Sequence, residues 1–205
     1  MVQSQKDCPF CTIADSVKPF FLSPSPSQSL SPPGFNEHNI ILSTPSHIAF
    51  LDIAPLVSSK CHILLIPRAH VCMLADYADY AGDCVHDDDL TRLGVLLALL
   101  GRALLQCFPS VDGFNVVQNN GHAAAQVVPH VHFHIVARSS SYSSSSGPPP
   151  SSALRDRNAD TSTIYARGQR EDLDPEFAAY ACTILRDYLQ HHPLYLSLFS
   201  PSPKL

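Results

Sequence analysis

The sequence predicts an α+β fold, an antiparallel sheet with helices on one face. Three observations predict it. Runs of strand length recur at 47–53, 61–67, 113–119 and 129–137. One long helical pattern stands between the second and third of them, and another helix follows the last. Strands this close in sequence favour antiparallel pairing over parallel crossovers.

The elements follow in order. "HIAFLDI" (47–53) reads as a strand, and Pro55 breaks it. "CHILLIP" (61–67) is a second apolar run, ended by Pro67. "DDDLTRLGVLLALLGRALLQ" (87–106) is a helix, with acidic residues at its positive end. Leu90, Leu93, Leu97, Leu100 and Leu104 fall at helical spacing, and Pro109 lies just beyond the end. Its apolar part (93–105) is too short for a membrane span and is broken by Arg102, so no membrane is expected. "GFNVVQN" (113–119) and "PHVHFHIVA" (129–137) are further strands. "DPEFAAYACTILRDYLQ" (174–190) is a helix, with Asp174 as its cap and Pro175 in its first turn.

A chain of 205 residues suits one domain with a proper core. That core is expected at about 8–14 and 39–138, with a C-terminal helical extension at 171–192. The Pro/Ser-rich stretches 17–36 and 139–153 read as mobile insertions, because neither buries enough apolar surface to offset its ordering entropy. Net charge is −5, so no global basic field invites nucleic acid, although Arg155, Arg157, Arg167 and Arg170 leave a local patch open. "MVQSQKDCPF" lacks the apolar run of a secretory signal. The seven cysteines are therefore expected as reduced thiols in the cytoplasm, with the nucleus also open.

Two patterns carry chemistry. In "PHVHFHIVAR" the histidines 130, 132 and 134 alternate with Val131, Phe133 and Ile135. Residues two apart in a strand are separated by roughly 6.5–7 Å, whereas zinc holds its ligands at about 2 Å. Three imidazoles on a flat strand therefore do not easily share one ion and must differ in role, or one is filler. Upstream, "QNNGHAAAQVV" (118–128) joins two strands through small residues whose backbone amides suit an anion, with Asn119 and Gln126 adding polar contacts. "CPFC" (8–11) is a C-x2-C pair, a spacing used by redox sites as well as zinc sites.

"QVVPHVHFHIV" resembles the signature of the histidine triad (HIT) superfamily, H-φ-H-φ-H-φ-φ with φ apolar. "FLDIAPL" (50–56), "CHILLIPRAH" (61–70) and "FNVVQNNG" (114–121) are similar to that superfamily's other segments, in its Hint-like branch. Cys61 stands where glycine is usual. The resemblance implies a sheet of about five strands with a long helix and a C-terminal helix. It implies that His132 attacks the α-phosphorus of a nucleotide and that His134 donates to a phosphate oxygen. Asp52 would accept from the ribose, while Asn119, Ala125, Gln126 and Val127 would hold the phosphate. It also implies a structural zinc on Cys8, Cys11, His70 and His130. A homodimer is expected on the same ground.

The implied activity is hydrolysis of purine nucleoside phosphoramidates, of the adenosine 5'-monophosphoramidase type, through a nucleotidyl-histidine intermediate. The alternatives are a Fhit-like dinucleoside polyphosphate hydrolase and a catalytically weak nucleotide-binding scaffold. Val127 departs from the family pattern, since many relatives carry Ser or Thr there.

Overall fold

The computed structural model describes residues 7–20, 37–59, 61–78, 87–140 and 169–195. Most of both predicted insertions lies outside these residues. Within the first, Val17 is buried and Phe20 N–H donates to the Ser43 carbonyl at 2.9 Å, so the chain follows the sheet at least that far.

Five strands form an antiparallel sheet: β1 (Ile40–Ser43), β2 (His47–Leu51), β3 (His62–Pro67), β4 (Gly113–Gln118) and β5 (Phe133–Arg138). Their order is β1-β2-β3-β5-β4. Three α-helices accompany it among the described residues: α1 (Pro9–Ser16), α2 (Asp87–Cys107) and α3 (Pro175–Gln190). The sheet, the long helix and the C-terminal helix are those the sequence predicts.

Alternation along the strands divides two cores. Ala49, Leu51, Ile63, Leu65, Phe133 and Ile135 face α2 and α3. Ile48, Phe50, Leu64 and Ile66 face α1. The expectation of helices on one face is thereby corrected. The two long helices share a face, but "PFCTIADS" covers the other, and eight residues are too few to announce an amphipathic helix by period alone. The four-residue β1 was likewise not separately legible. It is buried throughout, and a register shift between Ile40 and Leu42 turns both Ile41 and Leu42 into the α2 core.

In α2 the buried stripe is Leu93, Leu96, Leu99, Leu100, Ala103 and Leu104, while Leu90 is exposed. Over Asp89–Cys107 this helix is long and apolar enough to cross a membrane by length and composition alone, with a mean hydropathy of 1.5. That corrects the sequence estimate of its length. Its apolar stripe is nevertheless spent on the sheet and on α3. Asp174 caps α3 as expected, its Oδ1 accepting from Glu176 N–H at 3.1 Å.

Two features position the site. Arg68 ties α1 to the sheet, donating to the Ala14 carbonyl at 2.6 Å, to Ser43 Oγ at 2.6 Å and to the Thr44 carbonyl at 2.8 Å. Strand β5 begins at Phe133 rather than at 129. His130 N–H turns back to the Val128 carbonyl (2.8 Å), and Val131 N–H reaches the Val71 carbonyl (2.7 Å) instead of a ladder partner. The three histidines therefore do not lie on one flat strand.

Candidate functional site

That bend separates the histidines. His130 turns toward the N-terminal helix, where Cys8, Cys11, His70 and His130 bring one donor atom each within 4.8 Å of one another. Cys8 Sγ lies 3.5 Å from His130 Nδ1, Cys11 Sγ 3.6 Å from the same nitrogen, and Cys11 Sγ 3.2 Å from His70 Nδ1. Two ligands of a tetrahedral zinc, one sulfur and one nitrogen, stand about 3.6 Å apart. The spacing and the soft donor set fit that ion. The tautomer fits too: His130 Nε2 lies 2.9 Å from the Pro67 carbonyl, which only accepts, so the lone pair is on Nδ1 and faces the sulfurs. All four residues are buried. Burial lowers the His130 pKa to about 4 and lowers that of His70, favouring the neutral, ligating form of each.

His132 stands between this cluster and a second. Its Nδ1 is 2.6 Å from the His130 carbonyl, so Nδ1 carries the proton and Nε2 the lone pair. The Phe10 ring meets its edge with centroids 5.2 Å apart. Burial lowers the pKa of His132, keeping the ring neutral. His134 packs beside it, with ring centroids 5.1 Å apart.

Beyond His134 lies a chain of polar contacts. His134 Nδ1 is 2.9 Å from His62 Nε2. Leu56 N–H donates to His62 Nδ1 at 3.4 Å, which makes Nδ1 the acceptor and Nε2 the donor of His62. His134 then accepts at Nδ1 and keeps its proton on Nε2. Burial holds both rings neutral, with pKa values lowered to about 4 for His62 and about 2 for His134. Asp52 Oδ2 lies 3.5 Å from His62 Nδ1 and accepts from Arg170 Nη1 at 2.8 Å. Asp52 Oδ1 accepts from Ala54 N–H at 3.0 Å.

The small-residue loop closes on itself. Residues His122–Ala124 form a 3-10 turn, and Ala125 follows in the left-handed region at φ 65°. The Gln126 side chain ties this loop to the segment after β3, accepting from Gly121 N–H (2.6 Å) and donating to the Cys72 carbonyl (2.6 Å). Its Nε2 is also 3.5 Å from the His130 carbonyl. Gln126, read from sequence as a phosphate contact, also joins the loop to the segment after β3. Val127 is 90% exposed, while Asn119 and Ala125 are half-buried.

Two residues at the site were not singled out from sequence. The sequence reads His62 as a packed or hydrogen-bonded strand residue, which does not tie it to the triad. Only the β3–β5 register, with His62 opposite Val136 and Leu64 opposite His134, places it on the histidine face. Arg170 was visible only as part of a possible basic patch, and the other three arginines of that patch lie outside the described residues. Nothing local in "GQRED" signals a partner so far back in the chain. None of the six described cysteines forms a disulfide.

A family model described as the HIT domain matches residues 34–141, more than half of the chain. The chain belongs to the HIT family. Adenosine 5'-monophosphoramidase HNT1 of Candida albicans is 34% identical over 116 residues, covering 55% of this chain and 70% of that protein. Adenosine 5'-monophosphoramidase hnt1 of Schizosaccharomyces pombe is 37% identical over 95 residues, covering 46% of this chain and 60% of that protein. Among solved structures, a Zn-bound histidine triad family protein from Mycobacterium smegmatis superposes with a TM-score of 0.52 at 22% identity, covering 89% of this chain and 92% of that one. The likeness at that identity is one of fold. Cys8, Cys11 and Arg170 stand outside the matched 34–141 span.

Proposed function

We propose that this chain hydrolyses purine nucleoside phosphoramidates, releasing the nucleoside monophosphate through a nucleotidyl-His132 intermediate. One observation carries the reading: the His130 carbonyl holds the proton of His132 on Nδ1 and leaves the Nε2 lone pair for attack. Nε2 bonds to the α-phosphorus as the P–N bond to the leaving amine breaks. Water then attacks the same phosphorus, the P–N bond to His132 breaks, and the neutral imidazole returns. His134, with its proton on Nε2, donates to a phosphate oxygen. The Ala125 and Gln126 amides are taken by the His122 and Gly121 carbonyls, so of the three amides expected at the phosphate it is that of Val127 that stabilises the charge developing there. Val127 offers an amide and no hydroxyl, so the leaving amine takes its proton from an imidazole or from water. Asp52 accepts from the ribose hydroxyls.

Cys8, Cys11, His70 and His130 would hold zinc with all four of its positions filled by protein, and it would supply structure rather than a bound water. A homodimer is part of the same reading. Strand β4 is an edge of the sheet, and Val116 on it is 44% exposed, so a second copy can extend the sheet there. Light scattering should return twice the 22.3 kDa chain mass; the monomer mass would remove the dimer.

The activity test compares adenosine 5'-phosphoramidate with diadenosine tri- and tetraphosphate by kcat/KM. The phosphoramidate should be the best substrate, and preference for either dinucleotide would move the chain to the Fhit-like reading. His132→Ala should cut AMP release by roughly 10³-fold or more while AMP still binds. Unchanged turnover in that variant excludes the nucleotidyl-His132 mechanism.

A further inference from the structure

The chain after the Ser/Pro-rich tract returns to the site and is fastened there. Val57 N–H donates to the Gln169 carbonyl (3.0 Å), Glu171 N–H to the Pro55 carbonyl (3.2 Å) and Leu173 N–H to the Ile53 carbonyl (2.9 Å). Leu56 and Arg170 form an antiparallel bridge between them. Three backbone bonds within five residues give Arg170 a fixed base, and the Asp174-capped start of α3 follows at once. From that base Nη1 reaches Asp52 Oδ2 at 2.8 Å and also donates to the Ala54 carbonyl.

Both carboxylate oxygens of Asp52 are thus held, Oδ1 by the Ala54 amide and Oδ2 by the guanidinium. Each oxygen keeps a second lone pair for a ligand hydroxyl. A buried carboxylate that must receive two vicinal hydroxyls needs one fixed rotamer, and an adjacent guanidinium hydrogen-bonded to it supplies that. The Arg170 side chain is 34% exposed against 9% for Asp52, so the cation lies on the solvent side of the carboxylate.

We infer that Arg170 is a specificity-determining residue that clamps the Asp52 carboxylate for the 2'- and 3'-hydroxyls of the nucleotide. The inference rests on Asp52 being the ribose acceptor of the proposed function. It assigns a role in substrate choice to a segment outside the matched HIT span. Arg170 acts through Asp52, so it is a positioning residue: removing it should weaken ribose recognition and leave the chemical step alone.

The test is steady-state kinetics and AMP binding by calorimetry for the wild type, Arg170→Met and Arg170→Lys. Each is run with adenosine 5'-phosphoramidate and AMP, and with their 2',3'-dideoxy counterparts. Methionine keeps an unbranched stem and removes the charge. For Arg170→Met the KM and Kd of the ribose ligands should rise about tenfold with kcat within about twofold. The dideoxy ligands should lose less than about twofold, and Arg170→Lys should recover part of the loss on the ribose ligands only. If the wild type prefers ribose but Arg170→Met keeps the same ribose-to-dideoxy ratio, this inference is overturned and the reading of Asp52 stands. If kcat falls and KM holds, Arg170 serves the histidines instead and the inference is likewise overturned. If the wild type itself does not distinguish the two sugars, Asp52 is not the ribose acceptor and both fall.

Discussion

At His132 a 2.6 Å contact to a backbone carbonyl decides which ring nitrogen carries the lone pair. At His134 the same question is answered at second hand, through His62 and the Leu56 amide. Neutral imidazoles are kept so by burial, and this has a cost in acid that His47 displays most cleanly. Its Nε2 is buried with no partner, and burial, aided by the charges of Arg92 and Arg68, lowers its pKa from 6.5 to about 4. A base with a depressed folded pKa binds protons more readily when unfolded. The stability it contributes is full above pH 6.5, erodes as the pH falls, and is gone below about 4. The shift corresponds to roughly 3 kcal/mol across that window. His47→Phe, which cannot titrate and leaves no orphaned nitrogen, should show a flatter decline of Tm between pH 6.5 and 4 than the wild type. Parallel curves would show that His47 does not titrate as its burial implies. His47 was not singled out in the sequence; one strand residue among apolar neighbours does not announce that its ring is fully buried.

Among elements, the loop between β4 and β5 depends on Gln126 more than on its small residues. One side chain accepts from Gly121 and donates to Cys72, joining the loop to the segment after β3. Gln126→Ala leaves a buried donor and acceptor without partners, which costs about 1–3 kcal/mol. It should lower the denaturant midpoint and reduce kcat/KM together. A fall in activity at unchanged stability would return Gln126 to the direct phosphate contact expected from sequence. Helix α2 offers a packing test. A Cβ on Gly101 would run into the Phe114 ring, so that ring must move for any larger residue. Gly101→Ala should destabilise by roughly 1 kcal/mol, the overpacking exceeding alanine's gain in helix propensity. A rise in Tm would show that the Phe114 ring, partly buried, swings aside freely.

For the whole molecule, the sheet has a core on each face, and the smaller one depends on α1. That helix is fastened at one end by Arg68 and at the other by the Cys8 and Cys11 thiols of the four-ligand cluster. Removing zinc with a chelator should lower Tm by ~10 °C and expose amides of α1 to hydrogen exchange, since metal binding is linked to folding. Cys8→Ser with Cys11→Ser should do the same without chelator. Retention of about one zinc per chain in that double variant would show the site to be misassigned.

Local patterns in the sequence determined the α+β class, four of the five strands, both long helices and the Asp174 cap. Alternation, helical spacing and capping chemistry act over a few residues and are visible without coordinates. Resemblance to the HIT motifs in "CHILLIPRAH" and "PHVHFHIVAR", with "CPFC", carried the sequence reading further, to the family and to the four residues that could hold a metal. Tertiary structure alone decided the rest. It set the bend in "PHVHFHIVAR", where Val131 N–H leaves the ladder for the Val71 carbonyl, and it joined His134 to His62. It placed α1 over the second face of the sheet and tied the Gln126 side chain to the Gly121 amide and the Cys72 carbonyl. It set Arg170 on Asp52 across a separation of 118 residues. Contacts that distant depend on strand register and on where the chain returns after a long excursion, and neither leaves a mark on the residues beside them.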